Sequence, residues 1–184
     1  MRVFTDKHNQ DIVDLLKQGG VGILRTDTLY GIVARADNAA AVERVYRLKH
    51  RNEAKSPIVL IGLLSQLFDR PDEATARLID KQWPGKVSII VPSSASPSWI
   101  RRDNGSVAYR LPADETLQSL LQKTGPLIAP SANPESEPPA RNIDEATAYF
   151  GNEVDFYVDE GEVVDDAPSR LLRVAESGEV ERLR

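Results

Sequence analysis

The chain contains no cysteine, which excludes disulfides, thiolate metal sites and cysteine nucleophiles. Its only histidines are His8 and His50, and neither falls at a metal-ligand spacing with carboxylates. There is no Gly-x-Gly-x-x-Gly and no glycine-rich loop ending in Gly-Lys-Ser/Thr, so phosphate binding through those loops is not offered. No apolar run approaches membrane-spanning length, and the first ten residues have neither an apolar core nor a cleavage-site pattern. No membrane association is expected, and the cytoplasm is the expected location. Positive charge is in deficit as well: 23 Lys and Arg stand against 28 Asp and Glu, for a formal net charge of −5. Non-specific nucleic-acid binding, which is driven by bulk positive charge, is therefore disfavoured.

What is present suits one domain spanning residues 1–184, since 41% of the residues are hydrophobic and 28% charged. Thr5 or Asp6 can cap a first helix with Ile12, Leu15, Leu16 and Gly19 on one side, ended by Gly19-Gly20. Strands are expected over 21–24, 29–36, 57–61, 87–91 and 107–111, and again over 126–129, 154–158, 171–174 and 180–183. Helices are expected from the Asn38 cap to the Lys49 region, over 63–68, 72–82 and 115–123, and from Asn142 or Asp144 to Phe150. Pro92 to Trp99 reads as loop, and Asn104-Gly105 as a turn. Strands and helices alternate irregularly, with some adjacent strand pairs. The pattern predicts an α/β chain with a mixed parallel and antiparallel sheet flanked by helices.

The one basic concentration is Arg47, Lys49, Arg51 and Lys55, opposed locally only by Glu53. Val42, Val45 and Tyr46 mark the apolar face of the preceding helix, and Lys49 is the next residue on that face. Cations brought inward at a helix-to-strand junction repel one another and lose hydration, so they call for an anion. That anion is either a buried acid of the chain or a phosphate or carboxylate of a ligand. Two other polar interruptions stand at strand ends, Thr26-Asp27-Thr28 and Ser131-Ala132-Asn133. Taken singly, each reads as turn capping; loops at strand ends are also favoured places for binding sites. The remaining features are bland. His8 and His50 read as exposed. Asp155, Asp159, Glu160, Glu162, Asp165 and Asp166 lack the calcium-loop spacing and read as a solvated face. Arg101-Arg102 beside Trp99 is weak evidence for RNA contact.

Taken in order, Thr26-Asp27-Thr28-Leu29-Tyr30-Gly31, Leu48-Lys49-His50-Arg51, Trp83-Pro84-Gly85, Arg110 in the Val107–Pro112 segment, Pro130-Ser131-Ala132-Asn133 and Pro168-Ser169 resemble the YrdC-like family of threonylcarbamoyl-AMP synthases. The likeness is to its single-domain bacterial form. The resemblance implies a twisted mixed sheet with a concave basic cavity. It implies a reaction of L-threonine, bicarbonate and ATP giving threonylcarbamoyl-AMP and pyrophosphate, with Mg2+ carried by the phosphates and no dedicated metal site. It further implies Lys49, Arg51, Ser131 and Asn133 as the central catalytic set. Thr26, Thr28, Tyr30 and Ser169 would hold threonine, and Lys55 and Arg110 would join the central four on the nucleotide. Separate transfer proteins would carry the product to tRNA. A paralogue with another activity, or a non-catalytic tRNA-binding or accessory protein, would share the same fold. The chain departs from the family pattern at Arg25, Asn52, Lys55-Ser56-Pro57, Pro134-Glu135-Ser136-Glu137 and Arg170.

Overall fold

The computed structural model describes residues 2–164 and 167–184. Among the described residues ten strands form a single sheet in the order β1-β8-β2-β3-β7-β4-β6-β5-β9-β10. In chain order these are β1 (Arg2–Phe4), β2 (Gly22–Arg25), β3 (Tyr30–Arg35), β4 (Ile58–Leu60), β5 (Val87–Pro92), β6 (Ser106–Arg110), β7 (Leu127–Ile128), β8 (Phe156–Val158), β9 (Arg170–Val174) and β10 (Val180–Arg182). The helices are α1 (Gln10–Lys17), α2 (Ala39–Lys49), α3 (Glu73–Gln82), α4 (Ser98–Arg101), α5 (Glu115–Thr124) and α6 (Ile143–Phe150). The sheet is mixed: β2–β3, β3–β7 and β5–β6 are antiparallel, while β4–β6, β2–β8 and β5–β9 are parallel. Among the described residues, no helix is long and apolar enough to cross a membrane.

Period-two alternation splits the core between the two faces. Leu24, Val33, Leu60 and Phe156 turn to one side, against Ile12 and Leu16 of α1 and Leu117 and Leu121 of α5. Their neighbours Ile23, Ile32, Val59 and Tyr157 turn to the other, against Val42 and Val45 of α2, Ile79 of α3 and Phe150 of α6. Close approach explains one glycine: Gly22 pairs with Phe156, and a Cβ there would lie 2.2 Å from the Phe156 ring.

The expected elements are present with four differences. Asn9 caps α1, its side chain accepting from the Asp11 N–H, while Asp6 is engaged with the His8 N–H. Residues 63–68 hold only a single 3-10 turn, Leu64–Gln66, because the Gln66 side chain turns back to bridge the Gly62 N–H and the Leu121 carbonyl. The loop expected over 92–99 gives way to α4 at Ser98. The short edge strand β1 has no apolar alternation to announce it, since Arg2 and Val3 are exposed and pairing with β8 alone makes it a strand. His8 and His50 are exposed as expected. Asp165 and Asp166 of the acidic stretch lie outside the described residues.

Candidate active site

Four local structures meet at one cavity of about 290 Å³. The first is the turn between β2 and β3. Thr26 Oγ1 donates to the Leu29 carbonyl at 2.8 Å, accepts from the Thr28 and Leu29 N–H groups, and lies 3.1 Å from Thr28 Oγ1. A threonine bonded this way closes a tight turn on its own side chain. Both hydroxyls are thereby held at the cavity wall.

The second is the α2 terminus. His50 takes a left-handed conformation at φ 49, and the Arg51 N–H returns to the Tyr46 carbonyl at 3.0 Å. That reversal leaves Lys49 inside, 2% exposed, and sends Arg51 to the cavity. Arg51 is fixed by a bond from Nη2 to the Ser56 carbonyl (3.2 Å) and by the Tyr46 ring, 5.6 Å from its guanidinium. The Tyr46 hydroxyl donates to the Lys55 carbonyl at 2.6 Å and holds the following loop.

The third is the segment after β7. Pairing with β3 runs on past the strand through Ile32 N–H to the Pro130 carbonyl and a bridge between Gly31 and Ser131. Ser131 Oγ donates to Asn133 Oδ1 at 2.6 Å, and Asn133 Nδ2 donates to the carbonyls of Pro134 and Glu137. Lys49 Nζ donates to the carbonyls of Ser131 and Asn133. Of the four central residues, Arg51 and Ser131 therefore face the cavity, while Lys49 and Asn133 give the loop its shape from behind. Among the described residues Lys49 has no carboxylate partner within ion-pair distance, so its cation rests on the Ser131 and Asn133 carbonyl dipoles. Burial, and then the Arg51 charge, push its pKa down to about 7, against a weaker upward pull from Glu135.

The fourth is the C-terminal hairpin β9–β10. It brings Arg184 to Ser169, with Nε donating to the Ser169 carbonyl at 3.1 Å and Nη2 to its hydroxyl at 3.2 Å. Ser88 Oγ lies 2.9 Å from Ser169 Oγ on the buried side. Arg184 lines the cavity and is absent from the sequence reading. Its signal was faint: one arginine after a hairpin whose turn is marked only by Gly178.

Arg110 also lines the cavity, 4% exposed, with Nη2 2.9 Å from Asp27 Oδ1 and 3.3 Å from Thr26 Oγ1. Burial lowers the Arg110 pKa and raises that of Asp27; their mutual attraction opposes both shifts. Acids of the chain therefore answer both Arg110 and the basic junction. Asp27 neutralises Arg110, and Glu135, not the exposed Glu53, answers the basic junction through Lys55. Lys55 is 57% exposed, is paired with Glu135, and does not line the cavity. Tyr30 is fully buried; its hydroxyl donates to the Gly161 carbonyl at 2.8 Å and accepts from the Glu160 N–H. Only the rest of that residue is left to the cavity. Among the described residues no three His, Asp or Glu gather so as to hold a metal ion.

Comparison with known proteins points the same way. A threonylcarbamoyl-AMP synthase of Pseudoalteromonas atlantica is 32% identical over 159 residues, covering 82% of this chain and 84% of the relative. One from Coxiella burnetii is 33% identical over 179 residues, covering 94% and 95%. Among solved structures, Escherichia coli YciO superposes with a TM-score of 0.87 at 20% identity, over 100% of this chain and 95% of its own. Pyrococcus abyssi Sua5, solved with L-threonine, gives 0.91 at 24% identity over 100% of this chain, which spans 57% of that protein. Both likenesses concern the fold. Residues 14–184 match the sequence model of the Sua5/YciO/YrdC family, described as telomere recombination, and with nearly the whole length matched, the chain belongs to that family.

Proposed function

We propose that this protein is a threonylcarbamoyl-AMP synthase, forming threonylcarbamoyl-AMP and pyrophosphate from L-threonine, bicarbonate and ATP. The observation that carries the reading is the cavity's own chemistry. Three guanidinium groups, of Arg51, Arg110 and Arg184, share it with the hydroxyls of Thr26, Thr28, Ser131 and Ser169. A site of that kind takes two anions that would otherwise repel, a carbamate and a triphosphate, and holds them in reach of each other. The relatives named threonylcarbamoyl-AMP synthase support the same reading.

In this proposal the threonine amine adds to carbon dioxide derived from bicarbonate, losing a proton and giving a carbamate. A carbamate oxygen then attacks the α-phosphorus of ATP, and the bond to the bridging oxygen breaks as pyrophosphate leaves. Arg51, Arg110 and Arg184 face charge that moves from the carbamate towards the leaving group, in an arrangement already built before substrate arrives. Thr26, Thr28 and Ser169 supply hydroxyls for threonine, and Ser131 supplies one for the nucleotide. Ile58 and Pro139 offer an apolar wall for the base. Lys49 and Asn133 keep the Ser131 loop in register. No protein nucleophile is required. Mg2+ would arrive as part of the triphosphate substrate and would screen its charge there. Separate proteins would then transfer the product to tRNA.

Pyrophosphate should appear only when ATP, threonine and bicarbonate are all present, with the adenylate detected by mass. Equal pyrophosphate release after threonine is left out would identify a simple nucleotide hydrolase and end this reading.

A further inference from the structure

Glu135 does not line the cavity, yet it touches both loops that shape it. Its backbone N–H donates to the Lys49 carbonyl at 2.7 Å. Its carboxylate accepts from the Asn52 N–H at 2.6 Å through Oε2 and from Lys55 Nζ through Oε1. Asn52 directly follows Arg51. One residue thus fastens the 131–137 segment to the 49–55 junction at three points.

The turn that carries Glu135 is strained. Ser136 has a φ of +79 with a side chain in place of glycine, a conformation that persists only where its surroundings over-determine it. The Glu135 contacts provide that from one side, and the Asn133 amide bonds to Pro134 and Glu137 provide it from the other. The Lys55 ammonium, and then the Asn52 N–H, hold the Glu135 carboxyl below its usual range, so it is ionised at neutral pH.

We infer that Glu135 is a positioning residue for the nucleotide: by bridging Asn52 and Lys55, its carboxylate holds Arg51 at the cavity and keeps the Ser131 loop seated on Lys49. The inference rests on the function proposed above. Lys55 then serves as the anchor of this bridge in the free protein. An acid acting instead as a repelling charge at a phosphate site would produce the opposite change in affinity.

The full-length protein would be assayed for ATP affinity by calorimetry and for kcat and KM with each substrate. Glu135→Ala should weaken ATP binding by about 10-fold, as loss of a charged hydrogen bond implies, and lower kcat through the displaced Arg51, with the KM for threonine little changed. Glu135→Gln keeps an oxygen for the Asn52 N–H and should recover most of the affinity. Asn52→Pro removes that N–H and should resemble Glu135→Ala, and the double variant should be no worse than either single one. Unchanged or tighter ATP binding in Glu135→Ala overturns the inference. So does a loss shared equally by all parameters that Glu135→Gln fails to relieve, which belongs to a fold role alone. A native protein that binds no ATP fails at an earlier stage, sinking the proposed function and this inference with it.

Discussion

Lys49→Met should reduce adenylate formation by about 10²-fold, the scale of letting a positioned group such as Ser131 drift by about 1 Å, while melting within a few degrees of the native protein. The near-neutral stability follows from two opposed effects. Met leaves the carbonyls of Ser131 and Asn133 without their donor, at a cost of ~1–3 kcal/mol for each. It also removes a buried cation whose pKa stands at about 7 instead of 10.5, a relief of ~1.4 kcal/mol for each unit of that displacement. The two are of similar size, so the fold survives and the loop loses its anchor. The same displacement fixes a pH dependence. Between about pH 7 and 10.5 the folded protein has shed the Lys49 proton while the unfolded chain keeps it, so stability attributable to this residue rises with pH across that window. Affinity for ATP should fall over the same window, as the cation is lost from beside Arg51. Calorimetric titrations from pH 7 to 9 should show that fall in the native protein and a flat, weak response in Lys49→Met. A variant that unfolds at ordinary temperature, or one that keeps the native pH slope, would remove Lys49 from the role assigned here.

The inward direction of Lys49 was legible because helical periodicity needs nothing beyond Val42, Val45 and Tyr46 on the same face. The Asn38 cap, the β-strands of the core and the 115–123 helix were legible for similar local reasons. What holds Lys49 was not. A lysine satisfied by two carbonyls of a loop more than 80 positions away leaves no mark in composition, because every residue carries a carbonyl. Asp27 was visible between two threonines, but only tertiary packing turns it on Arg110. Arg184 depends on the β9–β10 hairpin folding back to Ser169. Glu135 stood out only within a departure from the family pattern; the structure shows its carboxylate engaged with Asn52 and Lys55. Each of these residues acts through a distant partner, and a pattern read along the chain does not report such pairs. The mixed sheet itself was readable from irregular alternation, whereas the edge strand β1 was not, since it is defined by its pairing with β8 and not by its own residues.

Asp27→Ala should destabilise the protein by roughly 3–5 kcal/mol, the usual cost of stranding one partner of a buried ion pair. In a chain of this length that corresponds to a fall in melting temperature of about 10 °C or more. The side chains of Asp27 and Arg110 are 6% and 4% exposed, and their closest atoms are 2.9 Å apart. Burial nonetheless moves both groups towards their neutral forms, Asp27 upwards and Arg110 downwards. Attraction within the pair therefore does not fully offset the loss of hydration, as is common for buried ion pairs. Arg110→Met should be destabilised comparably, because it leaves Asp27 as the unpaired charge. The informative variant is the double one, Asp27→Leu with Arg110→Met, which removes both charges and fills their space with apolar atoms. It should regain most of the lost stability and still be inactive, because Arg110 lines the cavity and Asp27 sets its direction. That combination separates a pair kept for stability from one kept to present a guanidinium to substrate. Thermal melts and the three-substrate assay on the same four proteins decide it. A double variant as unstable as either single one would show that the two residues do not act as an electrostatic unit. A stable double variant with native turnover would take Arg110 out of the site. The expected result, a restored fold without activity, identifies a cation that the fold carries at a cost because the cavity uses it.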